Sequence, residues 1–146
     1  AQSKGETIMV NWVLRGAVLL WALLFFIVGI RGVLNPASFT ETFGIIADGV
    51  AANTVRADMS AFFLVAAGGA AIGGLLRGWS RALLVPAALY GTALVGRLIG
   101  VASGDLVNSG IVQAMIIEAL SVGLMITAYY MLSRASASAS GVEISS

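Results

Sequence analysis

Four long apolar stretches alternate with short polar segments along the chain. They cover residues of about 13–34, 54–76, 81–102 and 110–132. Because about 20 helical residues cross a ~30 Å hydrocarbon core, each stretch is long enough to traverse a bilayer as an α-helix. The pattern predicts an all-α fold in which a single domain, residues 1–134, forms a bundle of four transmembrane helices.

The two ends of the chain lack this apolar pattern. The first seven residues, AQSKGET, are polar, and we expect them to be frayed. Residues 135–146 read ASASASGVEISS and offer little surface to bury. We therefore predict that they form a disordered C-terminal tail.

The segment between the first two spans predicts a short additional helix. Asn35 suits its N-cap and Pro36 its first helical position, and Gly44 should end it. Three apolar residues recur at spacings of four and three and so share one helical face: Phe39, Phe43 and Ile46. This helix could lie in the membrane interface or form a lid over the bundle.

Small residues predict close helix packing in the second and third spans. Gly69 and Gly73 lie four residues apart, as do Gly96 and Gly100. In lipid, such pairs allow two helix backbones to approach closely. A phosphate-binding glycine loop would instead need a lysine and a preceding strand, which this sequence does not provide.

Turn residues mark the boundaries between these spans. Asn53 is the expected N-cap of the second span, and Ser80 is that of the third. Gly78 should end the preceding helix, so that residues 78–80 form a tight turn.

Composition supports membrane residence and restricts the chemistry. The chain is 59% hydrophobic and 10% charged, with a mean hydropathy of +0.98, values outside the range of ordinary soluble domains. Because it contains neither cysteine nor histidine, thiol chemistry, zinc sites and imidazole ligation of haem are excluded. We expect no cofactor, although a lipid or a quinone could occupy a site. A net charge of +1 with scattered basic residues argues against nucleic acid as a partner.

Charged residues also predict the orientation of the bundle. With four spans, the termini and the turn at residues 77–81 share one side, which holds Lys4, Arg15, Arg77, Arg81 and Arg134. The other side holds Arg31, Arg56 and Arg97 together with Glu41, Asp48, Asp58 and Asp105. Since basic residues favour the cytoplasm, both termini should be cytoplasmic. Aromatic residues near that same boundary are typical of an interfacial belt: Trp12, Trp79, Tyr129 and Tyr130.

One carboxylate interrupts the fourth span. A lone charge in lipid costs at least ~2.5 kcal/mol, so Glu118 should face other helices and meet a partner. Helical rise places Arg97 and Arg31 ~22 Å above the cytoplasmic face and Glu118 ~10 Å below the outer face, which are nearly the same height. Arg56 and Asp58 lie within side-chain reach of that height. We therefore predict an outer-leaflet cluster of arginines and carboxylates.

This cluster allows two main interpretations. The carboxylates could simply neutralise the arginines and fasten the helices together, because intramembrane charges usually pair. Alternatively, three guanidinium groups against two carboxylates leave room for an anionic or carbonyl-bearing amphiphile, such as a lipid head group or a quinone. Gln113 could line the same site. Catalysis by Glu118 is the least favoured interpretation, and we single out no catalytic residue.

Three segments together resemble a known family. They are NTVRADMSAFFL from Asn53, LYGTALVGRLIGVASGD from Leu89, and the glutamate of IIEAL. In this order they are similar to a family of small four-span bacterial membrane proteins defined only as a domain of unknown function, with an architecture like that of the DoxX/DoxD-like proteins. The matching positions are Asn53, Arg56, Ala57, Gly96, Arg97, Leu98, Gly104, Asp105 and Glu118. The resemblance implies the four-span fold and a bacterial inner membrane location, and it implies no activity.

Function is therefore predicted only in outline. The first hypothesis is a non-catalytic membrane protein, either an accessory subunit or a small binding module, whose partners are membrane lipids and a larger membrane complex or a homo-oligomer. The second is a binding site or enzyme for a hydrophobic small molecule that uses Arg97 and Glu118, and the third is a small transporter. The candidate ligand-binding residues are Arg31, Asn53, Arg56, Asp58, Arg97, Asp105, Gln113 and Glu118.

Overall fold

The predicted four-span helical fold is confirmed. The computed structural model describes residues 4–46 and 48–140, and over those residues it is helical and has no strand. The helices are α1 (Lys4–Leu34), α2 (Ser38–Phe43), α3 (Gly49–Leu75), α4 (Leu84–Ala102, preceded by a 3₁₀ turn at Ser80–Leu83) and α5 (Ser109–Ser140). All of them except α2 are long and apolar enough to cross a membrane. The structure therefore fits a multi-pass integral membrane protein.

Two helix pairs make the most extensive contacts of the bundle. In these pairs α1 packs on α3 and α4 packs on α5. A hydrogen bond joins the two pairs, because the indole Nε1 of Trp21 in α1 donates to Ser121 Oγ in α5 at 2.9 Å. The apolar core around it includes Val18, Phe63, Ala66, Ala70, Leu83, Met125, Ala128 and Leu132. We call the end of the bundle that carries both chain termini the terminal end and the opposite end the loop end.

Glycines of α3 permit the predicted close packing against the start of α4. A Cβ atom at Gly73 would lie 2.6 Å from Leu83 Cγ, and one at Gly69 would lie 3.0 Å from the carbonyl oxygen of Ala82. Such distances leave no room for a side chain. The interpretation of Gly69 and Gly73 as a helix-packing pair is therefore confirmed.

The corresponding prediction for Gly96 and Gly100 of α4 is wrong. A Cβ atom at Gly96 would meet nothing within 4 Å. One at Gly100 would lie 2.6 Å from Asp105 Oδ2, in the turn that follows the helix. The backbone N–H of Asp105 donates to the Gly100 carbonyl at 3.0 Å. Gly100 therefore serves the turn at the end of α4 and not a contact between helices.

Two predicted N-caps also differ from the structure. The N-cap of α3 is Asp48, in extended conformation, so Asn53 lies inside the helix. Ser80 begins the 3₁₀ turn, but its hydroxyl is hydrogen-bonded to that of Ser133 in α5 at 2.9 Å. A tertiary contact has thus replaced the local cap. Gly78 adopts a φ of 84°, as expected of a glycine that ends a helix and turns the chain.

The terminal ends of α1 and α5 are more helical than the sequence predicts. Helix α1 already begins at Lys4, where we expected a frayed end. Helix α5 continues through the start of the predicted disordered tail to Ser140, and residues 141–146 lie outside the described part of the chain. Ser136 and Ser138 donate their hydroxyl hydrogens to the carbonyls of Leu132 and Arg134, both at 3.1 Å. Alternating alanines, the best helix formers, further favour this extension.

Helix α2 forms a lid over the loop end of the bundle. Phe39 is only 1% exposed, and its ring stacks on that of Phe63 in α3 with 5.9 Å between centroids. The prediction that Asn35 caps this helix and that Pro36 begins it is wrong, because the helix begins at Ser38 and its N-cap is Ala37. Asn35 Oδ1 instead accepts a hydrogen bond from the Ala37 N–H at 3.2 Å in the preceding turn. The helix ends at Gly44, as predicted. Ile46 consequently lies beyond the helix and is 81% exposed instead of sharing the face of the phenylalanines.

The glycine packing of α3 gives a test of the fold. We expect Gly73→Ala to lower the free energy of unfolding by about 1–3 kcal/mol, because the new methyl group overpacks the contact with Leu83. Gly68→Ala is the matched control, since a Cβ atom there meets nothing within 4 Å. Thermal unfolding in detergent, followed by tryptophan fluorescence, would measure both. Equal melting temperatures for the two variants would contradict this packing.

Candidate functional site

An ion pair joins α4 to α5 inside the bundle. Arg97 Nε donates to Glu118 Oε1 at 2.8 Å, and Glu118 is only 6% exposed. The prediction that an arginine meets this intramembrane carboxylate is therefore confirmed. Arg97 makes this contact through its Nε. Its two Nη amino groups form no hydrogen bond with the described chain. They remain available as donors.

A cavity of about 530 Å³ lies beside this ion pair in the loop-end half of the bundle. All five helices contribute to its wall, and α2 covers it. Its charged and polar lining residues are Arg31, Ser38, Thr42, Tyr90, Arg97, Gln113 and Glu118. A chamber of this volume falls within the range of ~300–1,000 Å³ that is usual for small-molecule sites.

Aromatic rings form most of the apolar wall of the cavity. They belong to Phe25, Phe39, Phe43, Phe62, Phe63 and Tyr90. Phe25 is stacked with Phe63 at 5.9 Å between ring centroids and meets Tyr90 edge-on at 5.2 Å. Phe62 lies 5.1 Å from Tyr90. Ring contacts of this kind fix one another's orientation and present flat apolar faces to the chamber.

Two polar atoms of the cavity residues are buried without a hydrogen-bond partner in the described chain. They are Glu118 Oε2 and the hydroxyl oxygen of Tyr90. Both side chains line the same cavity. A buried polar atom left unsatisfied costs about 1–3 kcal/mol, so each exception calls for an explanation. A ligand that donates a hydrogen bond to these atoms in the cavity would explain both.

Two further predicted site residues line the same cavity. Arg31 is exposed at the end of α1, and its side chain forms no ion pair or hydrogen bond with the described residues. Gln113 lies in the second turn of α5. The structure thus brings Arg31, Arg97, Gln113 and Glu118 to one chamber.

The structure does not bring the charged residues of α3 to this chamber. Arg56 donates hydrogen bonds to the carbonyls of Val33 and Leu34 and so caps the C-terminal end of α1. Asp58 is exposed and pairs with no arginine of the described chain. Neither residue lines the cavity, although other residues of α3 do. Their predicted place in the cluster is therefore wrong.

The two candidates that the family resemblance added also lie outside the chamber. Asn53 is exposed within α3 and lines no part of the cavity. Asp105 lines a separate cavity of about 380 Å³, which it shares with Arg97, Gly96 and Ile111. Asp105 makes no ion pair with Arg97.

Comparisons with known proteins found no relative of this chain. No family model, curated protein or solved structure matches the chain. The resemblance to the four-span family therefore stays a prediction, and the site must be interpreted from its own chemistry. Among the described residues, no three His, Cys, Asp or Glu side chains are grouped as a metal site would require.

Sequence reasoning missed the aromatic wall and Tyr90. Phenylalanines within an apolar span give no signal that separates a cavity wall from a lipid-facing surface. Tyr90 did carry a usable signal, because a buried phenol in a span needs a hydrogen-bond partner much as a buried carboxylate does. It is 2% exposed and lies two turns before Arg97 in the same helix.

The coupling between Arg97 and Glu118 can be measured with a double-mutant cycle. We expect Glu118→Gln and Arg97→Gln each to lower the free energy of unfolding by about 1–3 kcal/mol. Arg97→Gln leaves the buried carboxylate without its counterion, and Glu118→Gln leaves the partly buried guanidinium without its own. The double variant should recover part of that loss, with a coupling of at least about 0.5 kcal/mol. Chemical unfolding in detergent gives these values. Asp58→Asn serves as the control and should be nearly neutral, and strictly additive losses would contradict a direct interaction.

Proposed function

We propose that this protein is a non-catalytic membrane binding module for an amphiphile with an anionic or carbonyl-bearing head group. One observation carries the proposal. The Arg97–Glu118 pair opens onto an aromatic cavity of about 530 Å³ while Oε2 of the carboxylate stays unpartnered. A purely structural ion pair would instead be expected to satisfy both oxygens, because buried polar groups are normally hydrogen-bonded.

The guanidinium groups define what the head group must accept. Arg97 keeps both Nη groups free, and Arg31 is unpaired within the described chain. A planar guanidinium binds carboxylate, phosphate or carbonyl oxygens through parallel hydrogen bonds. The head group should therefore carry at least one strong acceptor oxygen.

The unpartnered oxygens define what the head group must donate. Glu118 Oε2 and the Tyr90 hydroxyl oxygen can each accept a hydrogen bond from a ligand. A head group with both a donor and an acceptor, such as a hydroquinone or a hydroxylated lipid head, would satisfy both sides of the site. A fully oxidised quinone has the acceptors alone.

The aromatic wall supports a flat or branched apolar body for the ligand. Phe25, Phe63 and Tyr90 present ring faces and edges to the chamber, and stacking on such rings favours planar groups. Four lipid-exposed helices surround the site. A ligand with an apolar tail could therefore enter from the bilayer.

The hydrogen bonding of Tyr90 and Glu118 favours binding over catalysis. An activated nucleophile needs a base within hydrogen-bond reach. The Tyr90 hydroxyl has no such partner in the described chain. Glu118 is held by Arg97 in an ion pair, which suits a fixed recognition group.

A steric block of the cavity tests this function. Protein purified in lipid nanodiscs should retain an apolar compound that mass spectrometry of an organic extract identifies. Ala114→Trp should reduce the amount retained by about tenfold or more, because Ala114 lines the chamber. Ala119→Trp is the matched control, since Ala119 lies five residues further along α5 and is exposed. Equal retention by both variants, or none by the unmodified protein, would overturn the proposal.

A defined probe gives a second readout of the same site. Decyl-benzohydroquinone should quench the fluorescence of Trp21, whose ring lies 4.5 Å from Phe25 and 5.1 Å from Tyr90. Trp12→Phe and Trp79→Phe would remove the two other indoles. Arg97→Gln should weaken the binding of this probe by about tenfold, the loss expected for a charge-assisted hydrogen bond. Quenching that Arg97→Gln and Ala114→Trp leave unchanged would count against the site.

We also propose that both termini are cytoplasmic. The terminal end carries Arg15, Arg77, Arg81 and Arg134, and Trp12, Trp79 and Tyr130 are exposed there, as in an interfacial aromatic belt. Because the chain has no cysteine, single cysteines can report the orientation. In intact cells, a membrane-impermeant maleimide should label Ser103→Cys at the loop end and not Trp79→Cys at the terminal end. The reverse pattern would contradict this orientation.

A further inference from the structure

A second large cavity lies at the terminal end of the bundle. Its volume is about 1070 Å³, and it opens between α1, the end of α3 and α5. It exists because α1 and α5 extend past the turn that joins α3 to α4, so their ends have no neighbouring helix to fill the space between them. We call this cavity the basic groove.

The charge of the basic groove has one sign. Arg15 of α1 and Arg77, just after α3, both line it, and the described residues of its lining include no carboxylate. Arg15 donates one hydrogen bond to the carbonyl of Gly74, which leaves further N–H groups of its guanidinium available. Arg77 makes no hydrogen bond or ion pair with the described chain. The groove thus offers two guanidinium groups whose charge the fold does not neutralise.

The rest of the lining is suited to the interfacial part of a lipid. Leu19, Leu75 and Leu132 give the groove an apolar wall, of which Leu132 is buried, and Trp12 lies at the outer rim, where it is 65% exposed. Asn11 Oδ1 is buried in the same region without a hydrogen-bond partner in the described chain. As an unsatisfied acceptor beside the arginines, this amide oxygen can take a hydrogen bond from a hydroxylated head group.

We infer that the basic groove binds an anionic phospholipid of the surrounding membrane, with the lipid phosphate between Arg15 and Arg77. Paired arginines at a membrane boundary favour lipid phosphates. The apolar wall favours a phospholipid over a soluble anion, since only a lipid would also cover the leucines with its acyl chains. This site is separate from the chamber at the loop end and does not depend on the function proposed for it.

The inference is tested by native mass spectrometry of the whole protein in detergent. Dioleoylphosphatidylglycerol should bind at least about ten times more tightly than dioleoylphosphatidylcholine. Inorganic phosphate and glycerol phosphate, added in separate arms, should not compete at millimolar concentration. The variant Arg15→Gln/Arg77→Gln should lose the preference for the anionic lipid.

The matched control removes the same charge from the same end of the bundle. Arg81 and Arg134 are exposed and lie outside the groove lining, so Arg81→Gln/Arg134→Gln should keep the preference. If the loss of the Gly74 contact prevents the first variant from folding, Arg77→Gln alone should still reduce the preference. An equal loss in both double variants, no preference in the unmodified protein, or full competition by free phosphate would each overturn the inference.

Discussion

The ion pair between Arg97 and Glu118 is the constraint on which the centre of this bundle depends. A carboxylate in an apolar span is tolerated only where a counterion meets it, because an unpaired charge in hydrocarbon costs several kcal/mol. The 2.8 Å bond also fixes how far α4 can slide along α5. A shift of one helical residue moves a side chain by ~1.5 Å along the axis and turns it by ~100°, which would break the contact. The same contact therefore both neutralises the carboxylate and fixes the register of α4 against α5.

Sequence reasoning succeeds where the property in question varies along the helix axis. The length of an apolar run predicts a membrane span, and helical rise predicts that Arg97 and Glu118 share a height. It fails where the rotation of a residue about its helix decides the outcome. Arg56 and Asp58 lie near that height but on other faces of α3, and Arg56 binds the last carbonyls of α1 instead. Which face a helix buries depends on partners that are distant in sequence.

The cavity likewise depends on how the helices are rotated against one another, which the sequence alone does not reveal. Its wall combines side chains from all five helices, so its volume is set by what the packed bundle leaves unfilled and not by any one segment. Gly32 illustrates the dependence, because a side chain there would collide with the Phe39 ring and the Ser60 hydroxyl. Because Gly32 has no side chain, α2 can pack against the bundle and cover the chamber. Gly96 and Gly100 have the same four-residue spacing as Gly69 and Gly73, yet Gly96 faces open space.

The two ends of the bundle treat charge in opposite ways, and solvation explains the difference. At the loop end the carboxylate is buried, so its arginine must come from within the protein, and the free carboxylate oxygen belongs to a residue that lines the chamber. At the terminal end the guanidinium groups of Arg15 and Arg77 lie beside a wide groove, where water or lipid phosphates can solvate them. An internal carboxylate there would compete with lipid for the same cations. Within the described part of the chain the groove lining includes none, so its positive charge stays available to the membrane surface.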